Sequence, residues 1–262
     1  MFMSRVSVLE SAASVFESRF ADSLTAITSS GSDGFDPAFS DPANPSATAL
    51  SINNGSFAAN VIRVYAGGVD FTSDTLGVGG SGGYSCSGSS SFCSGAAQRG
   101  QGEVVSTNAI DVAPWGGSIS FDSIGTNWHF GTTTTGLDSD EFDFYSVAVH
   151  ELAHLLGFGN SDAFSNRISG SNFVGPETGT YALSNDQGHW APGTLSVVNG
   201  LSQEAAMTSS LTNGTRKYFT ELDFAAMQDI GWQVTAVPEA DTWAMLLAGL
   251  GLVGFAARRR RA

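Results

Sequence analysis

At 262 residues the chain is long enough for one domain with a substantial core, or one domain with appendages. Its formal charge is −14, and without residues 238–262 seven basic residues face 23 acidic ones (7 − 23 = −16), which argues against nucleic acid as a partner. Abundant Gly, scarce Lys and Arg, and 18 Phe suit a loop-rich extracellular type of protein better than a helical bundle, and the acidity serves solubility.

Residues 4–20 (SRVSVLESAASVFESRF) place Leu9, Ala12, Ala13, Phe16 and Phe20 on one stripe with the spacing of an amphipathic helix. This segment does not read as a signal peptide, because Glu10, Glu17 and Arg19 interrupt any apolar core. Residues 23–28 read as a short strand. Residues 31–54, full of Gly, Asp, Pro, Asn and Ser, read as a long surface loop. VIRVY at 61–65 is a strand ended by Gly67-Gly68. Residues 77–102 form a low-complexity, mobile Gly/Ser loop around Cys86 and Cys93. No His lies near these cysteines, so a small disulfide-closed loop is expected rather than a zinc site, and it implies an oxidising compartment. Two free thiols are the alternative. Residues 103–106 and 118–121 follow as strands, with 127–130 (NWHF) continuing the second.

The run DFYSVAVHELAHLLGFG is a helix with Tyr145, Ala148, Val149, Leu152, Ala153 and Leu156 on its apolar side. Asp138, Ser139, Asp140, Glu141 and Asp143 gather where negative charge suits its N-terminus, and Gly157 stands where a helix stops. Val147, His150, Glu151 and His154 share the other side, which faces a cleft. His150 and His154 are four apart, so their imidazoles project together, about 6 Å apart along the axis. That spacing lets two neutral imidazoles reach one zinc ion, with Glu151 leaning over the open position. With four His and nine Glu scattered at random, such a match is expected only ~0.002 times in this length, so chance is a weak explanation. The bland alternative is a buried amphipathic helix with two satisfied histidines.

Residues 160–200 read as irregular and carry Asp162, Asp186, His189 and Trp190; residues 203–211 carry Met207. Residues 220–228 form a last helix with Leu222, Ala225, Ala226 and Met227 inward, stopped at Gly231-Trp232. A helix, several strands, the motif helix, a long loop and a last helix define an α+β fold class. Residues 238–262 differ in kind: an apolar run at 243–257 (WAMLLAGLGLVGFAA) precedes four arginines at 258–261. The run is short of the roughly 20 residues of a spanning helix, though a thinned bilayer accommodates it with the arginines on the cytoplasmic side. Apolarity all round beside four arginines argues against a core helix.

HELAHLLGFG reproduces the H-E-x-x-H-x-x-G pattern of the metzincin zinc peptidases through Gly157, and the chain resembles the matrixin-type domains of bacteria. Upstream, SISFDSIGTNWHFG resembles that family's strand, with Phe121-Asp122 and Trp128. Downstream, Met207 is placed as the methionine of the turn beneath the metal, and FTELDFAAMQDIGW resembles the closing helix. The tail is similar to a PEP-CTERM sorting signal, with Pro238, Glu239 and Ala240 where Pro-Glu-Pro is usual. The likeness spans about residues 100–262 and is loose over the first hundred.

The resemblance implies a zincin (metzincin-like) fold over residues 4–237, a twisted mixed sheet packed on the active-site helix with a C-terminal helical subdomain. Residues 238–262 would be a sorting or transmembrane tail. It also implies Zn2+ held by His150, His154 and a third ligand. Metzincins place a His three residues after the motif's Gly, but Asn160 stands there, and a neutral amide oxygen is a poor zinc ligand. The candidates left are His189 first, Asp162 second and Asp186 behind them. His129 is the other free histidine, as a packed or substrate-side residue. No carboxylate stands at the E-x-x-x-D position of the gluzincins, which disfavours that class. The tail implies export in a Gram-negative bacterium, transient inner-membrane anchoring, processing by an exosortase-type enzyme, and a cell-surface or matrix destination. Such export needs a signal peptide that is not visible, so the true start is expected to precede Met1 or Met3; a cytoplasmic protein is the alternative.

The expected function is a zinc-dependent endopeptidase acting on extracellular proteins, with Glu151 as the general base. An extended substrate would lie along an edge strand near residues 117–121. Its specificity pocket would be walled by residues 189–211, where Leu195, Val197, Val198 and Leu201 suggest apolar side chains. Met207 would be a packing floor, and Tyr218 an oxyanion donor or an ordinary packed Tyr. No propeptide cysteine switch is recognisable. The competing function is a non-catalytic cell-surface or matrix-associated binding protein on a zincin fold, which the retained Glu151 disfavours. Ca2+ enters only by analogy with matrixins, because residues 70–74 lack the spacing of a calcium loop.

Overall fold

The N-terminal stripe winds into α1 (Phe2–Glu17), which buries Val8, Ala12 and Phe16 and half-buries Leu9 and Ala13. In this computed structural model, which describes residues 2–236, it lies against the motif helix α3 (Phe144–Leu155). Between them come β1 (Gly34–Phe39), β2 (Leu50–Ser51), β3 (Arg63–Val69), β4 (Gly77–Ser81), β5 (Gly83–Ser87), α2 (Ser90–Gln98) and β6 (Gly116–Asp122). The short strands β7 (Trp128–His129) and β8 (Phe142–Asp143) lead into α3. After it come α4 (Asp162–Ser165), β9 (Ile168–Ser169), β10 (Asn172–Gly175), β11 (Gly179–Ala182), β12 (Leu195–Val198), β13 (Leu201–Glu204) and α5 (Glu221–Asp229). The architecture is mixed α+β with small sheets.

The sheet that positions the site has the order β3-β6-β4. β6 is its interior strand and is buried along its whole length. β3 runs parallel to it in the register Tyr65↔Ser118, and β4 runs antiparallel with Gly79↔Ile119. β4 is therefore an edge strand, and α3 packs on the face to which Gly77 and Gly79 belong. Four of the five residues of β4 are small, Gly77, Gly79, Gly80 and Ser81, and for the glycines facing α3 the reason is space. A Cβ on Gly77 would come within 2.9 Å of Val147, and one on Gly79 within 2.5 Å of the Glu151 carbonyl oxygen. Glycine there lets strand and helix approach, the use of Gly in a strand when another backbone comes close. Gly79→Val is accordingly expected to force β4 off α3 and cost about 1–3 kcal/mol, the range for overpacking. Denaturant unfolding checks this, and an unchanged midpoint contradicts the contact.

Several expectations need correcting. Residues 77–102 are not a loop but β4, β5 and α2, tied by a Cys86–Cys93 disulfide with a Cα–Cα distance of 5.8 Å. The glycines hid strands whose neighbours leave no room for side chains. Residues 31–54 contain β1, whose buried Phe35, Pro37 and Phe39 alternate with Asp36 and Ala38; it pairs with β2 and β5. Residues 23–28 make only the bridge Ile27↔Phe57. β3 continues through Gly67-Gly68 instead of ending there. Residues 103–106 are not a strand but lead into a single 3-10 turn at Ser106–Asn108, and β7 is separate from β6, paired with β8. Residues 160–200 are not irregular throughout: β9, β10 and β11 form an antiparallel sheet, and β12 pairs with β13. The apolar run at 243–257 and the domain boundary at 237/238 lie outside the described residues, among which no helix is long and apolar enough to cross a membrane.

Candidate metal centre

The sequence folds α3 from a strong start. Asp143 is its N-cap, and its Oδ2 accepts from the Ser146 amide at 3.0 Å and hydroxyl at 2.6 Å. Its carboxylate also pairs with Arg216 at 2.7 Å, with both side chains buried. Arg216 further donates to the carbonyls of Gly131 and Thr132, so the helix start, that loop and the segment before α5 are clamped together. Asp143→Ala leaves the guanidinium buried without its counter-charge, and a loss of about 3–5 kcal/mol is expected. Urea unfolding measures it; a loss under 1 kcal/mol would contradict the clamp. At the other end Gly157 takes φ +107, and the Asn160 side-chain amide donates to the His154 carbonyl at 2.8 Å.

Along this helix His150, Glu151 and His154 line a cavity of about 760 Å³ beside β4. The loop between β11 and β12 brings His189 to the same place. Its Nε2 lies 3.1 Å from that of His150 and 3.0 Å from that of His154, and the first two are 3.1 Å apart. Each ring is oriented from behind. The Nδ1 of His150 meets the Ala206 carbonyl at 2.8 Å, that of His154 the Phe158 carbonyl at 2.8 Å, and that of His189 the Asp186 carboxylate at 2.9 Å. These acceptors suit the Nδ1 protons, so in neutral imidazoles the three Nε2 lone pairs face one another. Three lone pairs at such separations repel unless a cation sits between them, and Zn–N bonds of about 2.0–2.1 Å require nitrogens about 3.3 Å apart. The residues present fit zinc.

The electrostatics favour neutral imidazoles at His150 and His154. Burial, with His154 and His189 adding repulsion, holds the His150 imidazole well below its ordinary value. Burial, then His189, lowers His154 to about 4. The Glu151 carboxyl is pushed up to about 8 by burial, against a hydrogen bond from the Gly79 amide. For Asp186, hydrogen bonds from Ser184, Gly188 and His189 overcome the effect of burial and hold it down to about 2, so it faces His189 as a carboxylate.

The floor rests on a carboxylate that sequence reading missed. Asp223, in the first turn of α5, accepts from the Trp190 indole at 2.8 Å, the Ala206 amide at 2.9 Å and the Met207 amide at 3.3 Å. It also completes a capping box with Thr220. One buried side chain thus fixes the residue after His189 and the residue whose carbonyl orients His150. The signal was legible as Thr220-x-x-Asp223, a capping pattern. Met207 is fully buried in this turn.

The remaining candidates lie elsewhere. Asp162 is in the first turn of α4, where its Oδ2 accepts from the Ser106 amide at 2.5 Å, and it does not join the histidines. Asp186 orients His189 from its Nδ1 side. His129 is buried away from the trio, with Nε2 3.0 Å from the Thr133 carbonyl and Nδ1 3.5 Å from Glu141. Tyr218 is half-exposed, packed edge-on to Tyr145, and does not line the cavity. Among the described residues the histidine trio is the one group of three or more His, Cys, Asp or Glu placed to share an ion, and residues 70–74 contribute none.

Two expectations about the cleft are corrected. Residues 117–121 belong to interior β6, so the free edge beside Glu151 is β4. Leu195, Val197 and Leu201 stand exposed on the β12–β13 hairpin instead of walling a pocket. The wall is mixed: Val147 and Leu211 with Thr208, Ser210 and Lys217, whose Nζ donates to Thr208 and the Ser210 carbonyl at 2.6 Å and pairs with Glu204 at 2.7 Å.

Comparison with known proteins gives two likenesses. The PEP-CTERM protein-sorting motif matches residues 236–261. Such a motif implies recognition by an exosortase-type sorting enzyme and indicates an exported protein of a Gram-negative bacterium, anchored by the tail before processing. Over 75 residues the chain is 40% identical to matrix metalloproteinase-25 of Mus musculus, a stretch that covers 28% of this chain and 11% of that protein. The chain thus spans about a tenth of the length of the curated relative it matches. No solved structure matches the chain significantly.

Proposed function

We propose that residues 4–237 are the catalytic unit of a zinc-dependent endopeptidase with a metzincin-like zincin fold, and that residues 238–262 are its sorting tail. The observation that carries this reading is the convergence of three imidazole Nε2 nitrogens, of His150, His154 and His189, beside the buried carboxyl of Glu151. The partial likeness to a matrix metalloproteinase supports it.

Zinc in this site would supply an acidified water, with a pKa near 7, and polarise a peptide carbonyl. His150, His154 and His189 would hold the ion, and Asp186 would keep the third imidazole in its ligating tautomer. Glu151 would take the attacking water's proton on its carboxylate and deliver it to the leaving nitrogen. Burial without a cation favours the protonated carboxyl; a dication beside it favours the ionised base. The free edge of β4 would carry the substrate as an added strand, with the Gly79 amide fixing Glu151 at the point of reaction. Lys217 and Thr208 give the adjoining wall a polar base, so the side chain held there would not be purely aliphatic.

Digestion of a broad peptide library, with and without a chelator, tests the proposal. Cleavage that disappears on chelation is expected. A zinc-loaded protein that cleaves nothing would favour a cell-surface or matrix-associated binding protein instead.

A further inference from the structure

A second cavity, of about 230 Å³, lies further along the same strand. Ser81 of β4 and Gly157 and Ser161 of the loop after α3 border it, whereas Gly79, Gly159 and Asn160 border the metal site. The two cavities therefore share one strand and one loop and follow one another along the free edge. The walls of the second are Phe35, Tyr84, Ala96, Ala97, Trp115 and Leu156, drawn from β1, β5, α2, the residue before β6 and the residue after α3. Its polar neighbour Asp162 is committed to the Ser106 amide. Val105 and Tyr84 on its lining are 48% and 41% exposed, so it opens to solvent. Open apolar cavities of this kind take ligands.

Resting on the peptidase reading, we propose that this cavity is a substrate subsite for a large apolar side chain N-terminal to the cleaved bond. A peptide adding antiparallel to β4 points its N-terminal end toward Ser81. Each residue advances about 3.3 Å, so the step from Gly79 to Ser81 is two residues, and the subsite reads the second to fourth position before the cleaved bond. An acidic side chain would meet Asp162 and no basic group on the lining, which selects against it. The hairpin and α2, joined by the Cys86–Cys93 disulfide, thus serve as a specificity wall.

The test compares peptides identical except for Phe or Ala, scanned through the second, third and fourth positions before the cleaved bond. Zinc-loaded protein is expected to show a kcat/KM at least about tenfold higher with Phe at one of them, the scale of filling an apolar pocket. Ala97→Trp, which fills the cavity, should bring that ratio close to one. Val105→Asp, at an exposed place on the lining, should lower it too and serves if the first variant does not fold. Cleavage with a ratio near one at all three positions overturns the subsite alone, as does a ratio unchanged in both variants. No cleavage of any peptide by zinc-loaded protein overturns the peptidase reading, and the subsite with it.

Discussion

Glu151→Gln is expected to lower kcat by about 10²–10⁴-fold, the usual contribution of a positioned acid–base group, while one zinc per chain is retained. The amide keeps the shape that fills the space under Gly79 but cannot accept the water's proton. Glu151 does not join the three-histidine cluster, so its loss should leave metal affinity nearly unchanged. Peptide turnover and metal content are measured on the same sample. Retained turnover, within tenfold of the unaltered protein, would remove Glu151 from the mechanism. Loss of zinc would show that it ligates instead.

The second large effect concerns the proposed third ligand. His189→Ala is expected to weaken zinc binding by more than about 100-fold, since changes to groups that merely orient a ligand already cost 10–100-fold. Asp162→Ala should leave zinc affinity as it was, because that carboxylate is committed to the Ser106 amide. Competition with a chromophoric chelator reads both variants. Full affinity in His189→Ala, or lost affinity in Asp162→Ala, would reverse the assignment. The result bears directly on Asn160, which stands where metzincins carry their third His and here closes the helix end by donating to the His154 carbonyl.

How much of this was legible depended on what each segment buries. α1 and α3 carry a 3.6-residue apolar period, β6 has apolar residues at its centre, and α5 shows its start in the Thr220-x-x-Asp223 cap, so all four could be read from the sequence. β4 could not, because its contacts are made by backbone: Gly77 and Gly79 contribute no side chain for any period to register. The edge strand of the cleft was hidden for the same reason that it fits. β1 was masked by Asp36-Pro37 between two buried phenylalanines. In the site, His150, Glu151 and His154 follow from helical spacing, since a helix fixes which side chains share a face. His189 comes from a loop 35 residues beyond His154, and no local periodicity connects them. Only the scarcity of histidine pointed to it. Asp186, three residues before His189, orients it locally, whereas the hold of Asp223 on the turn beneath depends on tertiary folding and had at most a capping motif as its trace.

The most direct test of the central claim is a zinc titration of metal-free protein with turnover of a cleavable peptide followed at each addition. Activity should rise in proportion to added zinc and level off at one ion per chain, and Glu151→Gln should bind that ion without turning over. Full occupancy by zinc with no cleavage, or cleavage undiminished in the metal-free protein, would contradict it.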